Sequence, residues 1–310
     1  MYILNRNNMG MIVLKNKLLF VYNPHSGKSK IKNKLGSIIE KLAEKDWEIR
    51  VHPTRCIGDA TEVIASEGEQ FDFIVVGGGD GTMNEAATGM MKVPEGKRCP
   101  IGYIPTGTTN DFASSMGIPK VIDRATELVA DGTARACDVG KFNDRYFLYV
   151  AAFGAFTEVT YETSQKTKNM LGYAAYLMEG VKALPSIKQQ HLKITYNDEN
   201  IVEGDYILGI ISNSTSIAGM KYSDKLNISM NDGEFECILV KNPLNPIDLQ
   251  LTLGDLIMQN VESPRIDYFK FSKAVIESED SVKWTLDGEF GGEHKKVYVE
   301  NIMSAINVVC

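Results

Sequence analysis

Phe71-Asp72-Phe73-Ile74-Val75-Val76-Gly77-Gly78-Gly79-Asp80-Gly81-Thr82-Met83-Asn84-Glu85 is the stretch whose reading decides the fold. Phe71 to Val76 is an apolar run of strand length that stops at glycines, the pattern of a buried strand. Met83, Ala86, Ala87, Met90 and Met91 then recur at helical spacings, on one face of a helix. The four glycines between lack the Cβ that would hold an anion off the backbone. Their N–H groups and the helix N-terminus can therefore cradle phosphate oxygens. Asp80 stands where it can hold water around Mg²⁺, and Thr82, Asn84 and Glu85 add polar contacts. A bare glycine cluster is also an ordinary turn of α/β proteins. Asp80 and Asn84 in register favour the phosphate reading.

Working outward, Leu18 to Tyr22 reads as a strand, and Ile31, Leu35, Ile38, Ile39 and Leu42 mark one helix face. Trp47, Ile49 and Val51 alternate as in a strand, Ala60, Val63 and Ile64 suggest a helix, and Ile101 to Ile104 is a further strand. Helical segments follow around 110–116 and 121–131. Strand alternating with helix predicts a doubly wound parallel sheet covered on both faces. After Ala136 strands dominate: Tyr146–Phe153, Leu192–Tyr196, Tyr206–Ser212, Phe235–Val240, Tyr268–Phe271, Val282–Leu286, Val297–Val299 and Ala305–Val309. Turn signals at Asn197-Asp198 and Asn231-Asp232-Gly233 separate several, and helical inserts fall around 168–184 and 246–259. The expectation is an α/β domain over 15–138 and an antiparallel β domain over 139–310.

The 310 residues exceed what one core usually organises, and 44% hydrophobic with 24% charged residues is ordinary globular composition. A net charge of -7 argues against a nucleic-acid partner. Cys56, Cys99, Cys137, Cys237 and Cys310 show neither zinc nor redox spacing, which suits a reduced, cytoplasmic protein. Asn5, Arg6, Asn7 and Asn8 break the mildly apolar stretch Met1 to Val13, which lacks the core of a signal peptide. The longest apolar run, Tyr146 to Phe156, falls well short of the roughly 20 residues that span a bilayer. Any lipid contact is then peripheral.

Three more motifs carry polar chemistry. Asn23-Pro24-His25-Ser26-Gly27 ends the first strand. Gly27-Lys28-Ser29 invites a Walker A reading, which fails because Tyr22 stands where its first glycine belongs. Asn23, Ser26 and Gly27 can still bond phosphate, although an ordinary turn is as good a reading. Lys28, Lys30, Lys32 and Lys34 make the next helix basic, a solvated face or a membrane contact. Ile104-Pro105-Thr106-Gly107-Thr108-Thr109-Asn110-Asp111-Phe112 lets Gly107 and Thr108 approach nucleotide phosphates and brings a second carboxylate, Asp111; its bland reading is a capped Pro-Gly turn. Trp284-Thr285-Leu286-Asp287-Gly288-Glu289 puts two carboxylates beside a glycine, which alone reads as a plain Asp-Gly turn.

Together and in this order, the four motifs resemble the diacylglycerol kinase catalytic family, in particular its bacterial lipid kinases. The likeness runs from about residue 17 to 310 and includes Ser212-Asn213-Ser214 and Asn231-Asp232-Gly233. GGDGT alone is shared with NAD kinases and phosphofructokinases; the asparagine-proline turn, the Pro-x-Gly-Thr-x-Asn-Asp-Phe segment and the late Asp-Gly-Glu make the joint match specific. The resemblance implies an N-terminal α/β nucleotide-binding domain and a C-terminal β-sandwich. It implies ATP held by Asn23, Pro24, His25, Ser26, Gly27, Thr54, Gly79, Asp80, Gly81, Thr82, Met83, Asn84, Glu85 and Thr108. Asp80, Asp111 and Asp232 would organise Mg²⁺. A structural metal would fall on Asp232 with the backbone carbonyls of Ser229 and Glu234, although Asn231 stands where relatives often carry a second aspartate. The general base would be Glu289, with Asp287 as metal-linked partner or alternative base.

The implied reaction moves the γ-phosphate of ATP to the hydroxyl of diacylglycerol or a related membrane lipid at the inner face of the membrane. Relatives make a homodimer plausible. Rival readings are a kinase of a soluble acceptor such as NAD, which the Asn23-Pro24 and Asp287-Gly288-Glu289 motifs oppose, and a silent ATP-binding regulator. The acidic set Asp80, Asp111, Asp232, Asp287 and Glu289 opposes the second.

Overall fold

A computed structural model of the chain describes residues 2–4, 11–13, 16–154, 188–217, 220–221 and 228–310. The helical insert expected around 168–184 lies outside the described residues. Two compact units emerge: Met1–Ala113, Gly117–Arg135 and Ile306–Cys310 form the first, Ser114–Met116 and Ala136–Ala305 the second.

In the first unit, β1 (Tyr2–Leu4) and β2 (Met11–Val13) make a small antiparallel pair. The sequence then alternates as expected: β3 (Lys17–Tyr22), α1 (Lys30–Ala43), β4 (Glu48–Pro53), α2 (Asp59–Glu67), β5 (Phe73–Gly78), α3 (Asp80–Lys92), β6 (Ile101–Pro105), α4 (Asp111–Ser115) and α5 (Ile122–Asp131). α1 forms because Ile31, Ile38 and Leu42 share a buried stripe while lysines face solvent. It packs with α5, and α2 packs with α3. The strands pair in parallel in the order β4-β3-β5-β6, with Leu18 opposite Phe73 and Ile74 opposite Ile101. The chain thus moves from β3 to one side for β4 and to the other for β5 and β6. In an open α/β sheet that reversal leaves a crevice at the carboxyl ends of the two strands flanking it, here β3 and β5.

β6 is not the edge of this sheet. The last strand of the chain returns, and its Val308 and Val309 pair in parallel with Ile101 and Gly102. Ile306, Val308 and Val309 are buried there. The contiguous segments expected on either side of 138 therefore give way to a chain that crosses back, because an apolar edge strand left uncovered would expose unpaired N–H and C=O groups.

The second unit contains β7 (Ala134–Phe142), β8 (Arg145–Phe147), β9 (Val150–Gly154), β10 (Gln190–Tyr196), β11 (Asn200–Ser212), β12 (Ser216–Ile217), β13 (Met220–Lys221), β14 (Phe235–Lys241), α6 (Pro246–Ile257), β15 (Ile266–Phe271), β16 (Lys273–Leu286) and β17 (Glu289–Val309). All described pairings within it are antiparallel. β11 and β16 are long enough to hold β10 between their one halves and β9 between their others. Phe147 of β8 stacks on Phe235 of β14 at 5.2 Å, and Phe142 and Phe153 both meet Trp284 edge-on at 5.0 Å. Strands far apart in the ladder thus pack their inner faces on one aromatic core, as two layers of a sandwich do.

Two strand expectations are redrawn. Val297–Val299 and Ala305–Val309 belong to one strand, β17, which turns at Ser304 with φ +52°. Tyr146–Phe153, read as one strand, is two, interrupted at Leu148-Tyr149. The interruption has a chemical cause, described below.

Candidate active site

Three loops meet at the carboxyl ends of β3, β5 and β6. The Asn23 N–H donates to Gly77 O (2.8 Å) and the Thr106 N–H to Gly78 O (2.7 Å), so the loops after β3 and β6 are both laced to the glycine run. The Asn23 side chain folds its own turn by accepting from the His25 N–H at 2.9 Å. Thr106 Oγ1 donates to Ser26 Oγ (2.9 Å), and Asn110 closes its loop by exchanging two bonds with Gly107. The approach is so close that side chains are excluded. A Cβ on Gly27, at φ +55°, would lie 1.9 Å from Thr106 O, and one on Gly107 would lie 2.8 Å from the Cα of Gly79. What remains between the loops is backbone N–H, hydroxyl and the start of a 13-residue helix, a surface whose chemistry suits a chain of phosphates.

The four glycines expected to cradle phosphate divide by role. Gly77 and Gly78 are buried in β5, where their missing Cβ atoms make room for Ile31 and Thr82. Gly79 is the N-cap of α3 and makes no side-chain cap bond. It and Gly81 are the two at the turn. Met83 is fully buried, and its side chain belongs to the core. Glu85 accepts from the N–H groups of Gly58 (2.9 Å) and Ala60 (3.3 Å), so it caps α2, a role that replaces the phosphate contact expected of it. Thr108 is exposed on its loop and Asn84 is half-buried on α3.

Asp80 opens α3, where the helix dipole favours a negative charge. Its Oδ2 accepts from the Asp111 N–H (3.3 Å) and Thr109 Oγ1 (3.4 Å), which brings Asp111, 3% exposed, beside it. Beneath them Tyr103 donates its hydroxyl to Gly78 O, and burial, aided by the Asp80 charge, holds that phenol well above its ordinary pKa. Mg²⁺ is bound by one or two carboxylates plus substrate phosphates. Asp80 and Asp111 beside a phosphate-binding turn fit that requirement.

Thr54 follows β4 and is tied back by its N–H to Tyr22 O at 2.8 Å. The next turn is held by Asp59, 2% exposed, which accepts from Arg55 Nη2 (2.6 Å), the Arg55 N–H (2.9 Å) and His52 Nε2 (3.0 Å). The Arg55 guanidinium, ahead of its own N–H and His52, holds the Asp59 carboxyl far below the usual range.

In the second unit, Asp287 and Gly288 form the two-residue loop of the β16–β17 hairpin, with φ +50° and +83° as a type I′ turn needs. The plain-turn reading holds for the loop itself. Asp287 is 5% exposed, and its carboxylate accepts three N–H groups: Leu148 (2.7 Å), Tyr149 (3.0 Å) and Val150 (3.1 Å). Its N–H returns a bond to Val150 O. This is why the run 146–153 breaks: the amides of 148–150 go to a carboxylate instead of a strand. A carboxylate so occupied is architectural, which corrects the expectation that Asp287 serves as metal partner or base. Glu289, one residue past the turn, is exposed.

The loop around Asp232 engages its own donors. Ser229 Oγ donates to Asn231 Oδ1 (2.8 Å), Asp232 Oδ1 accepts from the Glu234 N–H, and Glu234 O accepts from Asn301. Lys270 Nζ stands 3.9 Å from Asp232 Oδ2 and 2.9 Å from buried Glu236. Among the described residues no three His, Cys, Asp or Glu side chains gather as a metal site. One carboxylate with an ammonium group beside it is a poor fit for a dedicated divalent ion, so the metal implied at Ser229, Asp232 and Glu234 carries no step here.

Sequence reading missed Asn110, Thr106 and the amides of 148–150 as parts of these sites. The first two stood within a quoted motif, whereas nothing in an apolar run announces that its amides serve a carboxylate 137–139 residues on.

A glycine turn suited to phosphate at the switch point of a doubly wound sheet, joined in one chain to an antiparallel β unit with an acidic hairpin, is the arrangement expected of a two-domain phosphotransferase. The diacylglycerol kinase catalytic domain family matches residues 17–142. A Bacillus subtilis (strain 168) diacylglycerol kinase is 34% identical over 293 residues, covering 93% of this chain and 94% of the relative. A Staphylococcus aureus (strain bovine RF122 / ET3-1) diacylglycerol kinase is 34% identical over 284 residues, 90% and 88% of the two chains. The crystal structure of a diacylglycerol kinase from Bacillus anthracis str. Sterne shares the fold, with a TM-score of 0.72 at 23% identity over 95% and 96% of the chains. The chain belongs to the diacylglycerol kinase family, a family of kinases.

Proposed function

We propose that this chain transfers the γ-phosphate of ATP to the hydroxyl of diacylglycerol or a closely related membrane lipid, giving phosphatidic acid or its analogue. The observation that carries the reading is the pairing of roles: N–H-rich turns with Asp80 and Asp111 in the first unit, and an exposed Glu289 beside a locked Asp287 in the second. The turns at Asn23–Gly27, Gly79–Thr82 and Thr106–Asn110 hold the phosphates by backbone N–H and hydroxyl groups. Asp80 and Asp111 would hold Mg²⁺, and the ion would supply charge neutralisation at the transferred phosphate. Glu289 accepts the proton of the attacking hydroxyl, a contribution of roughly 10²–10⁴-fold for a general base. Because the transition state of phosphoryl transfer is loose, positioning and charge neutralisation dominate.

The substrate lies in a membrane, and among the described residues no helix is long and apolar enough to cross one. The reading therefore includes peripheral association with the membrane surface. The test is phosphorylation of a panel of detergent-dispersed lipids, with NAD alongside, using labelled ATP and Mg²⁺. Label in phosphatidic acid supports the reading; label in NAD with none in lipid refutes it. Asp80→Asn should reduce turnover by at least about 10²-fold with an unchanged melting temperature, and wild-type activity in that variant would remove Asp80 from the site.

A further inference from the structure

Asn213 follows β11 and is fully buried. Its backbone N–H donates to Tyr149 O (3.0 Å), and its Nδ2 donates to Leu148 O (3.3 Å) and Asp138 O (3.2 Å). Leu148 O and the Tyr149 N–H are opposite edges of one peptide plane, and Tyr149 O and the Val150 N–H are opposite edges of the next. The N–H edges of these same two planes both donate to Asp287 Oδ1, at 3.0 and 3.1 Å. Asn213 and Asp287 therefore grip two consecutive peptide planes from opposite sides. Hydrogen bonds arranged in such a chain polarise one another. Tyr149 adds a second tie, donating its hydroxyl to Asp287 O at 3.1 Å.

Only an amide serves at this position. Its NH₂ has two carbonyls to satisfy, whereas an aspartate there would set carboxylate oxygens against both, and an alanine would leave one carbonyl edge of the grip unpaired in a dry interior. The far end of the chain of bonds is anchored too. The Asp138 carboxylate accepts from the N–H groups of Ser304 (2.6 Å) and Gly233 (2.8 Å), and its own N–H donates to Met230 O. Asn213 thus links a buried, hydrogen-bonded hub to the turn that carries Glu289.

We propose that Asn213 is a positioning residue for Glu289. It fixes the two peptide planes that hold the Asp287 carboxylate, and the hairpin so locked presents Glu289 to the substrate hydroxyl. The proposal rests on the reading of Glu289 as the base. A displacement of about 1 Å in a reacting group can cost 10²-fold in rate, so the grip matters to chemistry without any contact between Asn213 and substrate.

The test is steady-state kinetics of the full chain with ATP, Mg²⁺ and detergent-dispersed diacylglycerol. The variants are Asn213→Ala, Tyr149→Phe, Glu289→Gln and the two doubles with Glu289→Gln. Asn213→Ala should lower kcat about 10- to 100-fold while KM for ATP and for lipid stays within about twofold. A loss of folded protein also lowers kcat at constant KM, but it would slow the double with Glu289→Gln by the same factor, so the doubles separate the two. Tyr149→Phe keeps the ring and removes only the hydroxyl tie, with a loss of about three- to tenfold; it decides the matter if Asn213→Ala does not fold. Residues acting through one another are non-additive. Each double should therefore be no slower than Glu289→Gln alone. Doubles slower by the full single-variant factor, or a loss confined to KM, overturn the positioning role while the base reading stands. A fully active Glu289→Gln refutes the base reading by itself, and the positioning of that residue falls with it.

Discussion

Asp287→Asn is the substitution that most directly separates architecture from chemistry at the acidic hairpin. The side chain keeps its shape and loses its charge. In the native protein Oδ1 accepts from Tyr149 and Val150 and Oδ2 accepts from Leu148. An asparagine oriented to keep the first two bonds turns its NH₂ toward the Leu148 N–H, so a buried donor faces a donor. Losing a hydrogen bond to a charged group costs about 1.5–3 kcal/mol, and the two surviving bonds weaken once the acceptor is neutral. The expected loss is about 3–5 kcal/mol, a large part of the stability of an ordinary domain. Urea denaturation at neutral pH measures it, and amide hydrogen exchange should show protection lost at Leu148, Tyr149 and Val150. Glu289→Gln, at an exposed position, should leave both unchanged while lowering kcat. An Asp287→Asn protein within about 0.5 kcal/mol of the native one, inactive, and revived by extra Mg²⁺ would refute the architectural role and return Asp287 to the metal or the proton.

The phosphate turns make a sharp contrast: Gly27→Ala places a Cβ 1.9 Å from Thr106 O at a positive φ and should abolish ATP binding measured by calorimetry. Gly36→Ala, with open space around it on α1, should instead stabilise by about 0.5–1 kcal/mol. Asp59, whose carboxyl is held low by Arg55, contributes stability that is fully present above the unfolded value of about 4 and is lost as pH falls toward its folded value. Asp59→Asn should therefore cost about 1–3 kcal/mol at pH 7 with the gap narrowing near pH 3, and an equal gap at both pH values would show that the charge is not the cause.

Much of this molecule is written in short-range pattern. The run Phe71–Val76 into Gly77-Gly78-Gly79, followed by the stripe from Met83 to Met91, determined β5, the turn and α3, because a buried strand and an amphipathic helix each carry their own period. The same logic gave β3, α1, β4, α2 and β6, and with them the parallel sheet and the turns at its carboxyl ends. What pattern did not carry was any bond between backbone and a distant side chain. Glu85 reads as a polar group beside a glycine turn, yet α2 folds back so that its N-terminal amides claim the carboxylate. Asp287 and Glu289 are indistinguishable as two acids around a glycine. Only the tertiary structure, by bringing the amides of Leu148 to Val150 onto one of them, makes the first a clamp and leaves the second exposed. The return of Ile306–Cys310 to β6 is likewise invisible in sequence, since an apolar strand states that it needs a partner and not which edge will supply one. Backbone groups are identical at every residue, so their long-range partners are chosen by packing alone.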